Sequence, residues 1–396
     1  MAQLLRLVIV TLLLRISIAA DDPIPFPGGD TKFHEWLNQV YKRTYIDPTT
    51  MDRVKEYVTK RITQISDLIK AEGDCFDFVQ LRGSAAENLK IDHPDEFDFV
   101  LFNQKYKDKI TFNEKQNLPG FAYAMRQAAT CFEKYQLTDP KGAIDPVQVR
   151  ALMKNLVVKA LDKLEITTTV TEVGPAINFD IPSREASFPT IDIDLVLYIQ
   201  QENWPATATT PLSPELRVLG VGLVPKVLEE DNKVWQISFS AIEIQLFKTI
   251  DTDGGIRRKL LKIMKYLKLV TEWPKTVSSY HLKTIIMKTN LDHPDKAYWT
   301  DSNLVTRFRE LLNAFLNALK TKTLPSFFIP TFNLLKGKDL TEAIQKVEKL
   351  IETIKTNPNS LFPPQSAMCN PSQTSSSASN NPQKKKLLKK MLRIHS

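Results

Sequence analysis

The chain has 396 residues, 42% hydrophobic and 25% charged, which is the make-up of a globular enzyme or receptor with two packed lobes or one large domain. Lys and Arg number 53 against 45 Asp and Glu, a formal net charge of +8. Much of that excess sits in the cluster Lys384, Lys385, Lys386, Lys389, Lys390 and Arg393, so charge alone does not decide for a nucleic-acid partner. The only cysteines, Cys75, Cys131 and Cys369, are widely spaced, with no CxxC pair and no Cys/His cluster, which argues against a disulfide framework and a zinc ribbon.

Residues 4–14 form a short apolar run broken by Arg6, followed by Arg15, residues 16–20 and a small-residue pattern before Asp21. This reads like a signal peptide and is too short and interrupted for a spanning helix. The reducing-compartment character of the remaining sequence points the other way, so a cytoplasmic location is expected, with secretion or membrane association as the alternative.

Pro23, Pro25, Pro27, Gly28 and Gly29 form a linker, and the folded body is expected from Thr31. Val54, Tyr57, Val58, Ile62, Ile65, Leu68 and Ile69 recur at three-to-four spacing, which predicts a long amphipathic helix over 52–70. A segment at 76–81, a turn at Gly83-Ser84 and a β-rich run at 97–102 follow. A helix at 145–163 and strands at 166–173 and 191–199 complete a mixed sheet. After Trp235 the pattern turns helical, at 242–249, 257–271, 279–289, 303–319 and 340–354. The expected fold is α+β and bilobal. It has a leader and linker (1–30), a mixed-sheet core lobe (31–235), a C-terminal helical lobe (236–356) and a disordered basic tail (357–396).

Phosphoryl transfer to a hydroxyl needs carboxylates that hold divalent metals. In Glu96-Phe97-Asp98 the acids alternate with an apolar residue, so on a strand both carboxylates share one face. Asp194 in Ile191-Asp192-Ile193-Asp194-Leu195 adds a third acid, with Asp192 on its face. A lone Glu-x-Asp is more often solvated surface. Here Gly83-Ser84 precedes it, where glycine admits backbone amides to phosphate and the hydroxyl donates to it. Gly-Ser followed by an acid pair on the next strand is a signature of polymerase-β-like nucleotidyltransferases.

The run 83–98, GSAAENLKIDHPDEFD, resembles the activation loop and catalytic strand of the cyclic GMP-AMP synthase-like receptors, without a gap. Blocks at Asp194 with Trp204-Pro205, at 235–243, 261–267, 279–284 and 327–334 agree in order, so the resemblance covers roughly 31–355. It implies catalytic metals, Mg2+ or Mn2+, on Glu96, Asp98 and Asp194. It implies ATP contacts from Ser84, Glu96, Asp98, Ser240, Glu243, Lys265, Ser279, Tyr280 and Lys283. Asp194, Gln236, Ser238, Ser240 and Glu243 would contact GTP, although Gln236 stands where the family often has arginine. Read without the resemblance, Lys265 belongs to a solvated helix face, Tyr280 to a core, and His93 and His281 are structural.

The segment between Glu243 and Lys265 contains no cysteine, so no zinc site of the vertebrate type is expected, and the resemblance is to invertebrate-type members, several of which respond to double-stranded RNA. The expected activity is synthesis of a cyclic dinucleotide from ATP and GTP, switched on by double-stranded nucleic acid, RNA over DNA, in innate immune signalling. Lys55, Lys60, Arg61, Arg257, Arg258 and Lys259 are candidate nucleic-acid contacts. Two other readings stay open: a non-catalytic developmental relative acting as an interaction protein, and a linear RNA nucleotidyltransferase. The sequence specifies no oligomer.

Overall fold

The computed structural model describes residues 24–73 and 75–362; most of the leader, the basic tail from 363 and Cys369 lie outside them. Helices in chain order are α1 (Gly29–Lys42), α2 (Pro48–Glu72), α3 (Gly83–Ala86), α4 (Cys131–Lys134), α5 (Pro146–Lys163) and α6 (Pro214–Arg217). They continue as α7 (Ser240–Thr249), α8 (Arg257–Val270), α9 (Ser279–Asp292), α10 (Leu304–Lys320) and α11 (Thr341–Thr356). The described residues divide into two compact units, one of Thr44–Arg258 with Pro325–Phe332, the other of 24–43, Lys259–Leu324 and 333–362.

The first unit is built on a nine-stranded sheet. Its strands are β1 (Val79–Arg82), β2 (Glu96–Asn103), β3 (Ile110–Glu114), β4 (Phe121–Arg126), β5 (Thr171–Val173), β6 (Ala176–Glu185), β7 (Phe188–Gln201), β8 (Val221–Val224) and β9 (Trp235–Ser238). The order is β1-β2-β7-β8-β9-β4-β3, with β6 on β7 and β5 on β6. The pair β2–β7 is parallel and the other pairs are antiparallel, so the sheet is mixed and the α+β expectation holds. Ile191, Ile193, Leu195 and Leu197 of β7 and Phe97, Phe99 and Leu101 of β2 are buried on one face. The period of two then sends Asp192 and Asp194, and Glu96 and Asp98, to the other.

Helix α2 starts at Pro48, with the Asp47 carboxylate accepting from Thr50 N at 2.8 Å. Val54, Val58, Ile62, Ile65 and Ile69 bury one stripe along it. Helix α5 is capped by Asp145 and ends with Glu165 at φ 56, where Ile166 N bonds Leu161 O and Glu165 N bonds Asp162 O. That left-handed C-terminal motif is why the strand expected over 166–173 is only Thr171–Val173: Ile166 is buried as part of the helix exit.

The sequence argument against a disulfide is corrected. Cys75 and Cys131 are bonded, with Cα atoms 5.3 Å apart and a sequence separation of 56. Both are buried. Spacing along the chain carries no trace of the pairing, because the fold brings the loop after α2 against the start of α4. Such bonds persist in oxidising compartments.

The second unit packs α1, α9, α10, α11 and most of α8. Phe33 meets Phe308 edge-on at 5.7 Å, and Trp273 stacks on Phe315 at 5.3 Å. The chain remains ordered past the expected start of the tail: Phe362 stacks on Trp36 at 5.8 Å, under the Arg43 guanidinium at 4.3 Å. No helix among the described residues is long and apolar enough to cross a membrane.

Candidate active site

Strand register assembles the acids. In the parallel pair Glu96 stands opposite Asp192 and Asp98 opposite Asp194; across β7, Asn178 stands opposite Asp194 and Asp180 opposite Asp192. Paired residues share a sheet face, so Glu96, Asp98, Asp180, Asp192 and Asp194 occupy one patch with Asn178 among them. Gly83 has φ +62, and a Cβ there would lie 1.9 Å from Asp98 Oδ2, so only glycine lets the loop sit against this carboxylate. Ser84 follows in the single turn of α3, half-buried.

Lys90 brings positive charge to the patch, with Nζ 3.4 Å from Glu96 Oε2 and 3.6 Å from Asp95 Oδ1. Fully buried Asn178 donates through Nδ2 to Asp194 Oδ1 at 2.8 Å, to Ile193 O at 3.3 Å and to Asp192 Oδ1. The sequence reading overlooked Asn178; its signal was an amide inside the apolar run 176–181. All the donors are hard carboxylate oxygens, the chemistry of Mg2+ or Mn2+. Their side chains do not converge in this conformation: among the described residues no group of three or more His, Cys, Asp or Glu is gathered to hold a metal ion.

The same face continues toward β9. Val224 stands opposite Gln236 and Gly222 opposite Ser238, and Tyr198 of β7 packs with Val100, Phe102 and Val224. A Cβ at Gly222 would come within 2.1 Å of the Tyr198 ring. Ser240 and Glu243 lie on the first turn of α7. Burial holds the Tyr198 hydroxyl pKa up at about 12, against the opposing pull of Arg82 and Ser240.

The other expected nucleotide contacts, Lys265, Ser279, Tyr280 and Lys283, fall in the helical unit. Lys283 is buried, with Nζ 5.9 Å from the Tyr280 ring centroid. His281 is structural there: its Nδ1 accepts from Ser278 N at 2.9 Å, completing the α9 capping box.

Three of the expected nucleic-acid contacts have intramolecular partners, and the burial of Arg257 corrects the expectation for that residue. Arg257 is buried against Asp251 and Asp253, Arg258 donates to Phe247 O, and Lys259 pairs with Asp301 at 2.7 Å. The basic surface that remains is on α2. Tyr57, Lys60, Arg61 and Arg184 line a cavity of about 440 Å³ together with Glu56, Glu185 and Arg53, the last paired with Glu185 at 2.8 Å, and the Arg184 guanidinium lies 4.7 Å from the Tyr57 ring centroid.

Two family models match the chain. The Mab-21 protein nucleotidyltransferase domain matches residues 85–249 and the Mab-21 protein HhH/H2TH-like domain residues 256–353. The chain is 27% identical to the cyclic GMP-AMP synthase of Mus musculus over 377 residues, covering 85% of this chain and 72% of that protein. It is 27% identical to cyclic GMP-AMP synthase-like receptor 3 of Stylophora pistillata over 297 residues, 71% of this chain and 82% of that one. Protein mab-21-like of Drosophila melanogaster is 22% identical over 348 residues, 78% and 92% of the two chains.

Proposed function

The chain belongs to the Mab-21 family of nucleotidyltransferases, and we propose that it joins ATP and GTP into a cyclic dinucleotide when double-stranded nucleic acid, RNA in preference to DNA, engages α2. The observation that carries this reading is the register of Glu96 and Asp98 beside Asp194, with the Gly83-Ser84 turn against Asp98. The relatives named as cyclic GMP-AMP synthase and its receptor-type homologue support the choice of product.

Glu96, Asp98 and Asp194 would hold Mg2+ or Mn2+, which supplies positive charge to the triphosphate and acidifies the attacking ribose hydroxyl. The Ser84 hydroxyl and the amides of its turn bind the donor phosphates. Gln236, Ser238, Ser240 and Glu243 line the base and ribose of the acceptor, and Lys265, Ser279, Tyr280 and Lys283 serve the ATP. Each of two successive attacks forms one ribose-phosphate bond and releases one pyrophosphate, the second closing the ring.

Around the 440 Å³ cavity, Tyr57, Lys60 and Arg61 of α2 and Arg184 of β6 suit phosphate and 2′-hydroxyl contacts, which read A-form shape without reading sequence. RNA activates by binding the catalytically ordered state more tightly than the resting one. Substrates of this class favour a cytoplasmic, immune-signalling role, against which the Cys75–Cys131 bond weighs.

A second reading, a non-catalytic interaction protein, is favoured by the carboxylates lying on Lys90 and Asn178 instead of converging, and by the mab-21-like relative. Radiolabelled ATP and GTP with Mg2+ or Mn2+, with and without long double-stranded RNA or DNA, separate the possibilities. A phosphatase-resistant small product lost in Glu96→Ala and Asp98→Ala is expected. An extended RNA would indicate a linear transferase, and synthesis surviving in both variants would refute the metal assignment.

A further inference from the structure

Between the Gly83-Ser84 turn and the acids of β2 the chain makes a loop that carries one lysine inward. Asn88 has φ 59 and Asp92 φ 68, the left-handed region that Asn and Asp enter more readily than other side chains. Each stands two residues from Lys90. The loop is pinned on one side, where buried Leu89 donates from its amide to Ser84 O at 2.8 Å, and on the other, where Asp95 O accepts from Asp192 N at 2.8 Å. The Lys90 side chain between these ties is 10% exposed and ends on carboxylates, 3.4 Å from Glu96 Oε2 and 3.6 Å from Asp95 Oδ1.

A carboxylate oxygen that carries an ammonium is a poor seat for a divalent cation. Mg2+ takes its oxygens at about 2.1 Å, so an ion on Glu96 Oε2 would bring a second and larger positive charge close to Lys90 Nζ, where like charges repel. Lysine and metal therefore compete for Glu96. The conformation in which Lys90 holds Glu96 is also the one in which the acids of the described residues do not converge. The loop meets the basic surface as well. Arg184 and Glu185 line the cavity beside α2, Glu185 stands opposite Phe188 across the turn from β6 to β7, and the Phe188 ring centroid is 6.1 Å from that of His93, in the same loop as Lys90. A ligand seated in the cavity thus has a packed route to the segment that carries the lysine.

We propose that Lys90 is a latch on the metal site: its ammonium neutralises and holds Glu96 in the resting state, and duplex binding beside α2 withdraws it through Phe188 and His93, which releases the carboxylate to the metal. The inference rests on the nucleotidyltransferase reading above and deepens it by naming the positioning residue through which that site is switched. Lys90 acts only through Glu96 and touches no reacting atom. Coupling of this kind is reciprocal: whatever draws Lys90 off Glu96 tightens the metal, and the metal in turn favours the withdrawn loop.

The test is titration of the full chain with Mn2+ alone, followed as loss of the free-ion electron paramagnetic resonance signal. Lys90→Met and Lys90→Gln, which remove the charge, should each bind Mn2+ roughly ten-fold or more tightly than the wild type. Lys90→Arg, which keeps the charge, should bind as the wild type does. Synthesis from labelled ATP and GTP gives a second readout: the factor by which double-stranded RNA stimulates product formation should fall roughly ten-fold in Lys90→Met, because the variant is already active without RNA. Unchanged or weakened Mn2+ binding in both charge-removing variants, where they melt as the wild type does, would overturn the latch, as would undiminished stimulation by RNA. If Glu96→Gln still weakens Mn2+ binding in that case, the nucleotidyltransferase reading stands. Mn2+ binding that Glu96→Gln does not weaken, in the wild type or in Lys90→Met, would overturn both.

Discussion

Asn178 Nδ2 lies 2.8 Å from Asp194 Oδ1 and the Asn178 side chain is fully buried, so this amide orients the third acid. Residues that orient metal ligands typically carry 10–100-fold of affinity or rate. Asn178→Leu, close in volume, should therefore cut product formation about 10–100-fold and raise the Mn2+ concentration needed for half-maximal rate. The two effects are read from initial rates at varied Mn2+. A variant that loses stability yet keeps the wild-type Mn2+ dependence would show that Asn178 only packs.

Much of this patch was legible in the sequence because a strand's period of two is visible as letters: Glu96-Phe97-Asp98 and Asp192-Ile193-Asp194 put acids and core residues on opposite faces. Gly83-Ser84 was equally legible, since the turn has few substitutes. Asn178 was not, because it acts through neighbours supplied by another strand, and register between strands is not written locally. The short strands β3, β4, β8 and β9 escaped notice for a related reason: four to six residues carry too few periods to stand out. Helices α2, α5 and α7 to α11 were readable, since each spreads its apolar stripe over several turns, whereas α1 behind its Pro/Gly run and the single-turn α3, α4 and α6 were not.

The Cys75–Cys131 bond closes a long loop between the end of α2 and α4. Such a closure contributes on the order of 4 kcal/mol by restricting the unfolded chain. The native protein digested without reductant should yield a peptide joining the two cysteines, and Cys75→Ser should lower the melting temperature by several degrees. Full alkylation of both thiols in the folded, unreduced protein would rule the bond out and restore the reducing-compartment expectation.

His281 gives the helical unit a defined acid sensitivity. Burial, then Lys338, whose Nζ is 3.5 Å from Nε2, then Lys268 hold its pKa down from 6.5 to about 4, outweighing the raising effect of the Leu334 backbone. The folded state thus disfavours the proton that the unfolded chain accepts. The associated stability is complete above pH 6.5 and is lost as the pH falls from 6.5 toward 4, up to roughly 3 kcal/mol in all. Denaturant melts across that window should show a steeper decline for the wild type than for His281→Gln. Parallel declines would mean that the acid sensitivity arises elsewhere.

Arg257 decides between structure and nucleic-acid contact for the segment before α8. Its side chain is 3% exposed, with Nη1 2.9 Å from Asp253 Oδ1 and 3.4 Å from Asp251 Oδ1. The Asp251 carboxylate also accepts from the Arg257 and Arg258 amides, and a Cβ on Gly255 would fall 2.1 Å from Nη1, so the loop is wrapped around this one guanidinium. The pairing holds the Asp253 carboxyl below its ordinary range. Removing one partner of a buried pair leaves an uncompensated charge and costs about 3–5 kcal/mol. Arg257→Ala should lose that much in denaturant titration while, below its melting temperature, the salt dependence of RNA binding is unchanged. Lys60→Ala on α2 should behave in the opposite sense, with stability kept and the salt slope reduced by about one. An Arg257→Ala protein as stable as the wild type but with a shallower salt slope would return this residue to the RNA surface.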